Sequence, residues 1–367
     1  MLNTTFYTIQ TWLLPALAEE IGELSEKERE FIRTVEVADL PFFMAPYAWC
    51  GVGCPPHSRL ALVKAFIAKM VWNMPTTRAL IDQLHGRPSL RRLCGWETVA
   101  EIPDETIFSR AFSQFSKDDL PERIHKKLIA TALEKTTIGH GCSDATAVEA
   151  REKPASKKKS EVEPGQQLPR KRGRKRKGEA AAVKEPRRLE LQPFQTLEEN
   201  LAGLPTGCDV GCKKNSKGYK ETWIGYKLHL NTADCGIPLG AILTAASVHD
   251  SQVAIPLIQK TSAHVRYLYD LMDAAYDAPE IRECSRQHGH VPIIDFNKRR
   301  GEEKEMEHAS RLRFAERSAA ERANSTLKDN YGGRFVRVRG AAKVMCHLMF
   351  GILAITGAQL ARLFGTG

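Results

Sequence analysis

Residues 222–245 carry the pattern that most constrains the fold. TWIGYKLHLN alternates, with Ile224, Tyr226, Leu228 and Leu230 on one face. A period of two residues is the signature of a strand with one buried side. NTADCG then reads as a turn and GIPLGAILTAAS as a second strand, so the segment is a β-hairpin. Beyond it, strands and helices alternate. Asp250 caps a helix running to about Lys260, and VRYLYDLMD is a buried strand. DAPE, Asp277 to Glu280, is an Asp-x-x-Glu capping box with proline in its first turn, opening a helix to about His288. HVPIIDF is a short strand, and a long helix covers about Glu303 to Asn330. Upstream, TTIGHGCSDATAVEA is moderately strand-like.

The order is strand, insert, strand, strand, helix, strand, helix, strand, helix. It matches an RNase H-like α/β domain: a mixed sheet flanked by helices, antiparallel in its first three strands and joined by helical crossovers to two more. Residues 1–135 read instead as all-helical. Leu13, Leu14, Leu17, Ile21 and Leu24 form one apolar stripe, and Leu62, Val63, Phe66, Ile67, Met70 and Val71 another. TTRALIDQLHGRPSLRRLCGW has a Gly-Arg-Pro break between two short helical pieces, and Asp104 is placed to cap the next helix. Arg78, Arg87, Arg91, Arg92 and Arg110 suit either a DNA-binding helical domain or a bundle with a solvated face. The expected organisation is a helical domain over 1–135 and a sheet domain over 136–367. The second is interrupted at about 151–218 by a basic, low-complexity insert without a packed core.

Charge isolates that insert. Of a net +10, residues 151–190 carry +9, from 15 Lys/Arg against 6 Asp/Glu. A cationic segment on a nearly neutral body points to a polyanion partner, most often nucleic acid. RKRGRKRK places Arg170, Lys171, Arg172, Arg174, Lys175, Arg176 and Lys177 within eight residues. It is similar to a minor-groove AT-hook, but Lys175 stands where the Arg-Gly-Arg-Pro core has proline, which favours non-specific phosphate contact. The nine cysteines are irregularly spaced and the first 25 residues lack a basic-then-apolar signal, so an intracellular, cytoplasmic protein with reduced thiols is expected. The uncharged run between Lys343 and Arg362 contains His347, Thr356 and Gln359, and reads as a buried helix rather than a membrane span.

Three carboxylates stand out by position: Asp144 in the first strand, Asp273 at the end of VRYLYDLMD, and Glu321 on the late helix. Singly, each has an ordinary reading as a strand end, a turn residue or a solvated charge. Converging from two strands and a helix, they offer the hard oxygen ligands that Mg²⁺ prefers, in a fold whose strand ends commonly hold the site. On a helix of 3.6 residues per turn, with Phe314 at zero, Arg317 falls at about 300°, Lys328 at about 320° and Glu321 at about 340°. Glu316 lies on the opposite side, at about 200°. The stripe sets one carboxylate between two cations, an arrangement suited to phosphodiester chemistry.

Phe314-x2-Arg317-x3-Glu321-x6-Lys328 resembles the Tyr-Arg-Glu-Lys signature of bacterial insertion-sequence DDE transposases, with Phe in place of Tyr. DATAVEAREKP, WIGYKLHL, ASVHDSQVAIPL and DAAYDAPEI are similar to segments of the same family. LVKAFIAKMVWNMPTTRALIDQLHGRPSLRRLCGW resembles the helical DNA-end-binding domain that precedes the catalytic domain. The resemblance implies a metal-binding triad of Asp144, Asp273 and Glu321 holding two Mg²⁺ ions, with Mn²⁺ as a substitute. It implies Arg317 and Lys328 as contacts to transposon-end phosphates, and the loss of one phosphate hydrogen bond at Phe314. The implied partners are double-stranded DNA, both element ends and target, and further copies of the chain in a dimer or higher multimer. The other class of function that fits is a DNA-binding protein of the same fold without catalysis.

The remaining clusters are weaker. Cys208, Cys212, His229 and Cys235, or Cys50, Cys54 and His57, lack the spacing of a tight zinc knuckle. Trp223 and Tyr226 suit core packing better than base stacking. Deleting residues 155–200 is expected to weaken DNA affinity and flatten its salt dependence, while leaving the fold intact. An unchanged salt slope in a binding titration would show that the insert does not touch DNA.

Overall fold

The computed structural model describes residues 23–154, 186–214, 218–297 and 305–364. Its helical part begins with α1 (Glu26–Val37), α2 (Arg59–Val71), α3 (Thr77–Gly86), α4 (Pro88–Cys94), α5 (Glu105–Lys117) and α6 (Leu120–Ala132). Ser25 starts α1 with a reciprocal capping box, its amide donating to Glu28 Oε2 at 2.9 Å. The expected stripe on α2 is buried throughout, from Leu62 to Val71. Burying each such side chain contributes roughly 1.5–3 kcal/mol. Gly95, at φ +107°, ends α4 in the left-handed conformation.

The sheet has six strands: β1 (Ile138–Glu149), β2 (Asp209–Lys214), β3 (Lys220–Ala233), β4 (Pro238–Ala245), β5 (Tyr267–Met272) and β6 (Val291–Ile294). They run in the order β2-β3-β1-β5-β6, with β4 also on β3. β3 pairs antiparallel with β1 on one edge, and takes β2 along its first half and β4 along its second on the other. β5 is parallel to both β1 and β6. This is the mixed RNase H-like sheet that the element order predicts. Helices α7 (Arg188–Leu191) and α8 (Leu197–Ala202) precede β2. Helix α9 (Ser251–Ser262) links β4 to β5, and α10 (Pro279–Gln287) links β5 to β6. Helices α11 (His308–Phe314), α12 (Ser318–Asn330) and α13 (Ala341–Leu363) follow β6.

The apolar run near the C-terminus is α13, long and apolar enough to cross a membrane by length and composition, but with 83% of its apolar window buried. It packs against α1, α2, α5 and α6 and against β4. One continuous buried apolar cluster therefore runs from Phe31 to Leu360. Gly357 permits a close approach of α1: a Cβ there would meet Thr34 Oγ1 at 2.5 Å.

Several expectations are corrected. The region assigned to the insert is not structureless to 218, because α7, α8 and β2 lie within it. Asn200 is buried there, and its amide donates to the Gln192 carbonyl at 3.0 Å and to Gln259 Oε1 at 3.0 Å. A deletion reaching residue 200 would remove these contacts, so a clean test of the insert stops at 185. The polar residues around β2 hide its strand signal; only Val210 marks it. The basic stretch Arg170 to Lys177 lies outside the described residues. The late helix does not run unbroken: residues 305–307 are not helical, and a 3₁₀ turn, Ala315–Arg317, separates α11 from α12. DAPE does not form a capping box. Ala278 is the N-cap, and Asp277 instead accepts from Arg282 at 2.9 Å and from the Asn297 amide at 3.1 Å. Asp104 and Asp250 stand at their helix N-termini, but neither makes a side-chain cap bond.

Gly225 sits in β3 where the strand passes from β2 to β4. Its φ is +152°, and a Cβ there would lie 2.1 Å from the Val148 carbonyl oxygen. Gly225→Ala is expected to destabilise the chain by about 2–3 kcal/mol, read as a lower unfolding midpoint in denaturant. An unchanged midpoint would contradict this strand arrangement.

Candidate functional site

The parallel register of β1 and β5 positions two of the three carboxylates. Ile138 pairs with Tyr267, Gly141 with Asp270 and Cys142 with Leu271. Continuing that register by two residues sets Asp144 against Asp273, on chains about 4.8 Å apart. Asp144 lies within β1 opposite Leu230 of β3, and Asp273 immediately follows β5. Asp273 Oδ1 accepts from the Ala275 amide at 2.9 Å, which fixes that carboxylate at the turn.

Helix α12 crosses this point, packing on β1 and β3. Arg317 Nη2 donates to Glu321 Oε1 at 2.5 Å, and its Nη1 lies 3.9 Å from Asp144 Oδ1. The guanidinium also sits over the Phe314 ring, 5.7 Å from its centre. Asn324 Nδ2, one turn beyond Glu321, donates to Asp144 Oδ2 at 2.9 Å. Asn324 Oδ1 is buried without a hydrogen-bond partner. Phe314 packs against Cys142, Leu271, Ile293, Ala319 and Ala320, so the ring wedges α11 onto the sheet. Glu316 is exposed in the 3₁₀ turn, and its carbonyl accepts from Cys142 Sγ at 3.4 Å. Glu321 is the one of the two glutamates that pairs with Arg317.

Lys328 is two turns further along α12 and half-buried. Burial, with Lys213 and Arg334 nearby, lowers its pKa. The stripe therefore divides into Arg317 with the carboxylates and Lys328 with a separate set of cations. Glu321 keeps 56% of its side chain exposed and faces Arg317. Among the described residues, no three His, Cys, Asp or Glu side chains come together as a metal cage. Cys208, Cys212, His229 and Cys235 form no such cage, and His229 is fully buried and bonded to Thr244 Oγ1 at 3.0 Å. Tyr226 is buried in the core, and Trp223 Nε1 donates to its carbonyl at 2.9 Å, so both aromatics pack rather than face a ligand.

Electrostatics mark the Asp144–Asp273 pair. Burial pushes the Asp144 carboxyl up to about 6 against the pull of Arg317, and Asp273 adds repulsion. Burial also raises Asp273, with Asp250 and Asp295 repelling it. Two adjacent desolvated carboxylates that repel each other form a donor set that a divalent cation satisfies. The sequence reading missed the supporting residues. Asn324 was legible, since three residues after Glu321 is the same helix face. Asp250 reads from the sequence as a helix cap with a possible supporting role near the site. It instead accepts from Lys227 Nζ at 2.8 Å and acts electrostatically on Asp273. Of the N-terminal arginines, Arg91 is structural: it is buried and donates to the Leu84 carbonyl at 3.3 Å. Arg78 pairs with Glu105 at 3.3 Å, Arg87 with Glu28 at 3.8 Å and Arg92 with Glu97 at 3.5 Å.

The mixed six-stranded sheet flanked by helices is the RNase H-like fold. The family described as Transposase DDE domain matches residues 135–356, and the family described as Transposase domain (DUF772) matches residues 19–114. The chain belongs to the DDE transposases. No curated protein and no solved structure matches it.

A carboxyl raised above its unfolded value costs stability where it is forced to ionise. For Asp144 the cost is full above pH 6 and vanishes as pH falls through 3.8. Asp144→Asn should therefore be more stable than the parent chain at pH 7, by no more than about 3 kcal/mol. The difference should close toward pH 4 in denaturant titrations. Equal stability of the two proteins at pH 7 would show that Asp144 is not desolvated.

Proposed function

We propose that the chain is a transposase that binds the terminal inverted repeats of an insertion sequence and carries out metal-dependent phosphodiester cleavage and strand transfer. The observation that carries this reading is the Asp144–Asp273 juxtaposition beneath a helix bearing Arg317 and Glu321. Asp144, Asp273 and Glu321 are the proposed ligands. Two Mg²⁺ ions held by them, or Mn²⁺ in their place, would supply Lewis acidity and lower the pKa of a bound water.

The chain's own residues prepare that site. The Asn324 amide fixes one oxygen of Asp144, and the Ala275 amide fixes one of Asp273. Arg317 neutralises Asp144 and Glu321 while no DNA is bound. A guanidinium binds phosphate in the same forked geometry as carboxylate, so end DNA competes for Arg317 and frees Glu321 to turn toward the aspartates. Lys328 and the Arg170–Lys177 run are assigned to backbone phosphates. Phe314 holds α11 in place but donates no hydrogen bond. We assign end binding to the helical part, with two or more copies assembled on the DNA, at the nucleoid.

A second reading, a DNA-binding protein without catalysis, is favoured by one observation: Glu321 is paired to Arg317 and turned from the aspartates. A nicking assay separates the two, using duplexes built from the DNA that flanks the gene. The proposed enzyme cleaves them only with Mg²⁺ or Mn²⁺. Asp144→Ala, Asp273→Ala and Glu321→Ala should each lose at least ~10²-fold in rate while remaining folded. Full cleavage by the three folded variants would refute the triad. End binding by the parent chain without any cleavage would establish the second reading.

A further inference from the structure

A cleft of about 400 Å³ lies where the helical part meets the chain segments leaving β1 and entering α13. It is lined by Lys69 of α2, Arg151 after β1, and Arg337, Arg339 and Lys343 around the start of α13. Phe66, Phe108 and Phe112 form its apolar floor, and Glu105, already paired with Arg78, is its one acidic wall residue. Lys69 is the informative member. It is 6% exposed, and among the described residues no group accepts a hydrogen bond from its ammonium. Burial lowers its pKa to about 8, so it remains mostly charged at neutral pH. The lysine is almost wholly buried, and the chain places its cation at the wall of a cationic cleft. Glu152, next to Arg151, accepts through Oε1 from the Gly340 amide at 3.1 Å and from the Tyr226 hydroxyl.

We propose that this cleft is a phosphate-binding site, separate from the carboxylate site, that receives a backbone phosphate of duplex DNA. Its occupant rests on the DNA reading above; its anion chemistry does not. Asp144 and Arg151 are seven residues apart along β1 and its exit, roughly 20 Å at strand spacing. Lys328 lies between them, with Glu149, Lys213 and Arg334 in its surroundings. Arg317, Lys328 and the cleft therefore form a cationic track beside β1, and duplex laid along it would reach the cleft about six base pairs from the reacting phosphate.

The test uses the full chain, Lys69→Met, and the double variant Arg337→Ala, Lys343→Ala. Methionine keeps the packing of the lysine stem, so Lys69→Met should unfold at a higher temperature than the parent. Inorganic pyrophosphate should raise the parent's midpoint and have a smaller effect on both variants. This arm reads the cleft even if the chain proves not to bind DNA. With a duplex of end DNA, each lost phosphate contact should flatten the slope of log affinity against log salt by about 0.9. Because the cleft takes one phosphate, the fall is at most about 0.9 for Lys69→Met and for the double variant alike. Equal pyrophosphate shifts in parent and variants would overturn the site. A lost pyrophosphate shift with unchanged DNA affinity and slope would overturn DNA as its occupant.

Discussion

The parallel pairing of β1 with β5 is the constraint on which the site depends. Its register brings Asp144 and Asp273 together at the point where β5 ends, so the two carboxylates share one patch of desolvated space. A shift of one residue would turn one of them to the other face of the sheet. The antiparallel β1–β3 ladder locks β1 from the other edge over Gly141 to Glu149, which includes Asp144 itself. The price of holding these charges out of water is visible in their raised pKa values, and the neighbouring groups reduce it only in part: one guanidinium, one asparagine amide and the Ala145 and Ala275 backbone amides.

Helix α13 links the sheet to the helical part. Because it is apolar on nearly every side, it must be surrounded, and α1, α2, α5, α6 and β4 surround it. The same helix starts at Ala341, and Lys343 in its first turn lines the cationic cleft, so the shared core and the proposed phosphate site meet in one region. Cations on α2 and at the entry to α13 then act on one ligand because the packing beneath them is continuous.

The hairpin was legible from its period of 2 and β5 from its Val, Tyr and Leu content, while α9 and α10 were read from Asp250 and DAPE, neither of which makes the expected cap bond. Asp144 was legible as a residue of the first strand, Asp273 as a strand-end residue and Glu321 as a member of a helix face. Other features depended on tertiary contacts that no local pattern encodes. β2 has a single large aliphatic residue, Val210, and exists because β3 offers it an edge. The break at Ala315–Arg317 follows no proline or glycine; there Cys142 bonds the Glu316 carbonyl and Phe314 seats in an apolar niche. Asp250 has the sequence position of a cap, yet Lys227 across the hairpin claims it. The helical count placed Lys328 beside Glu321 in angle but not along the axis, where seven residues amount to about 10 Å.

The central claim is that Asp144, Asp273 and Glu321 form one metal site. Calorimetric titration of the full chain with Mn²⁺ at pH 7, in the presence of end DNA, tests it most directly. The account predicts saturable binding by the parent chain and weakening of at least ~10-fold in Asp144→Asn, Asp273→Asn and Glu321→Gln, since each removes a charged oxygen ligand. Undiminished Mn²⁺ binding by all three variants would contradict it.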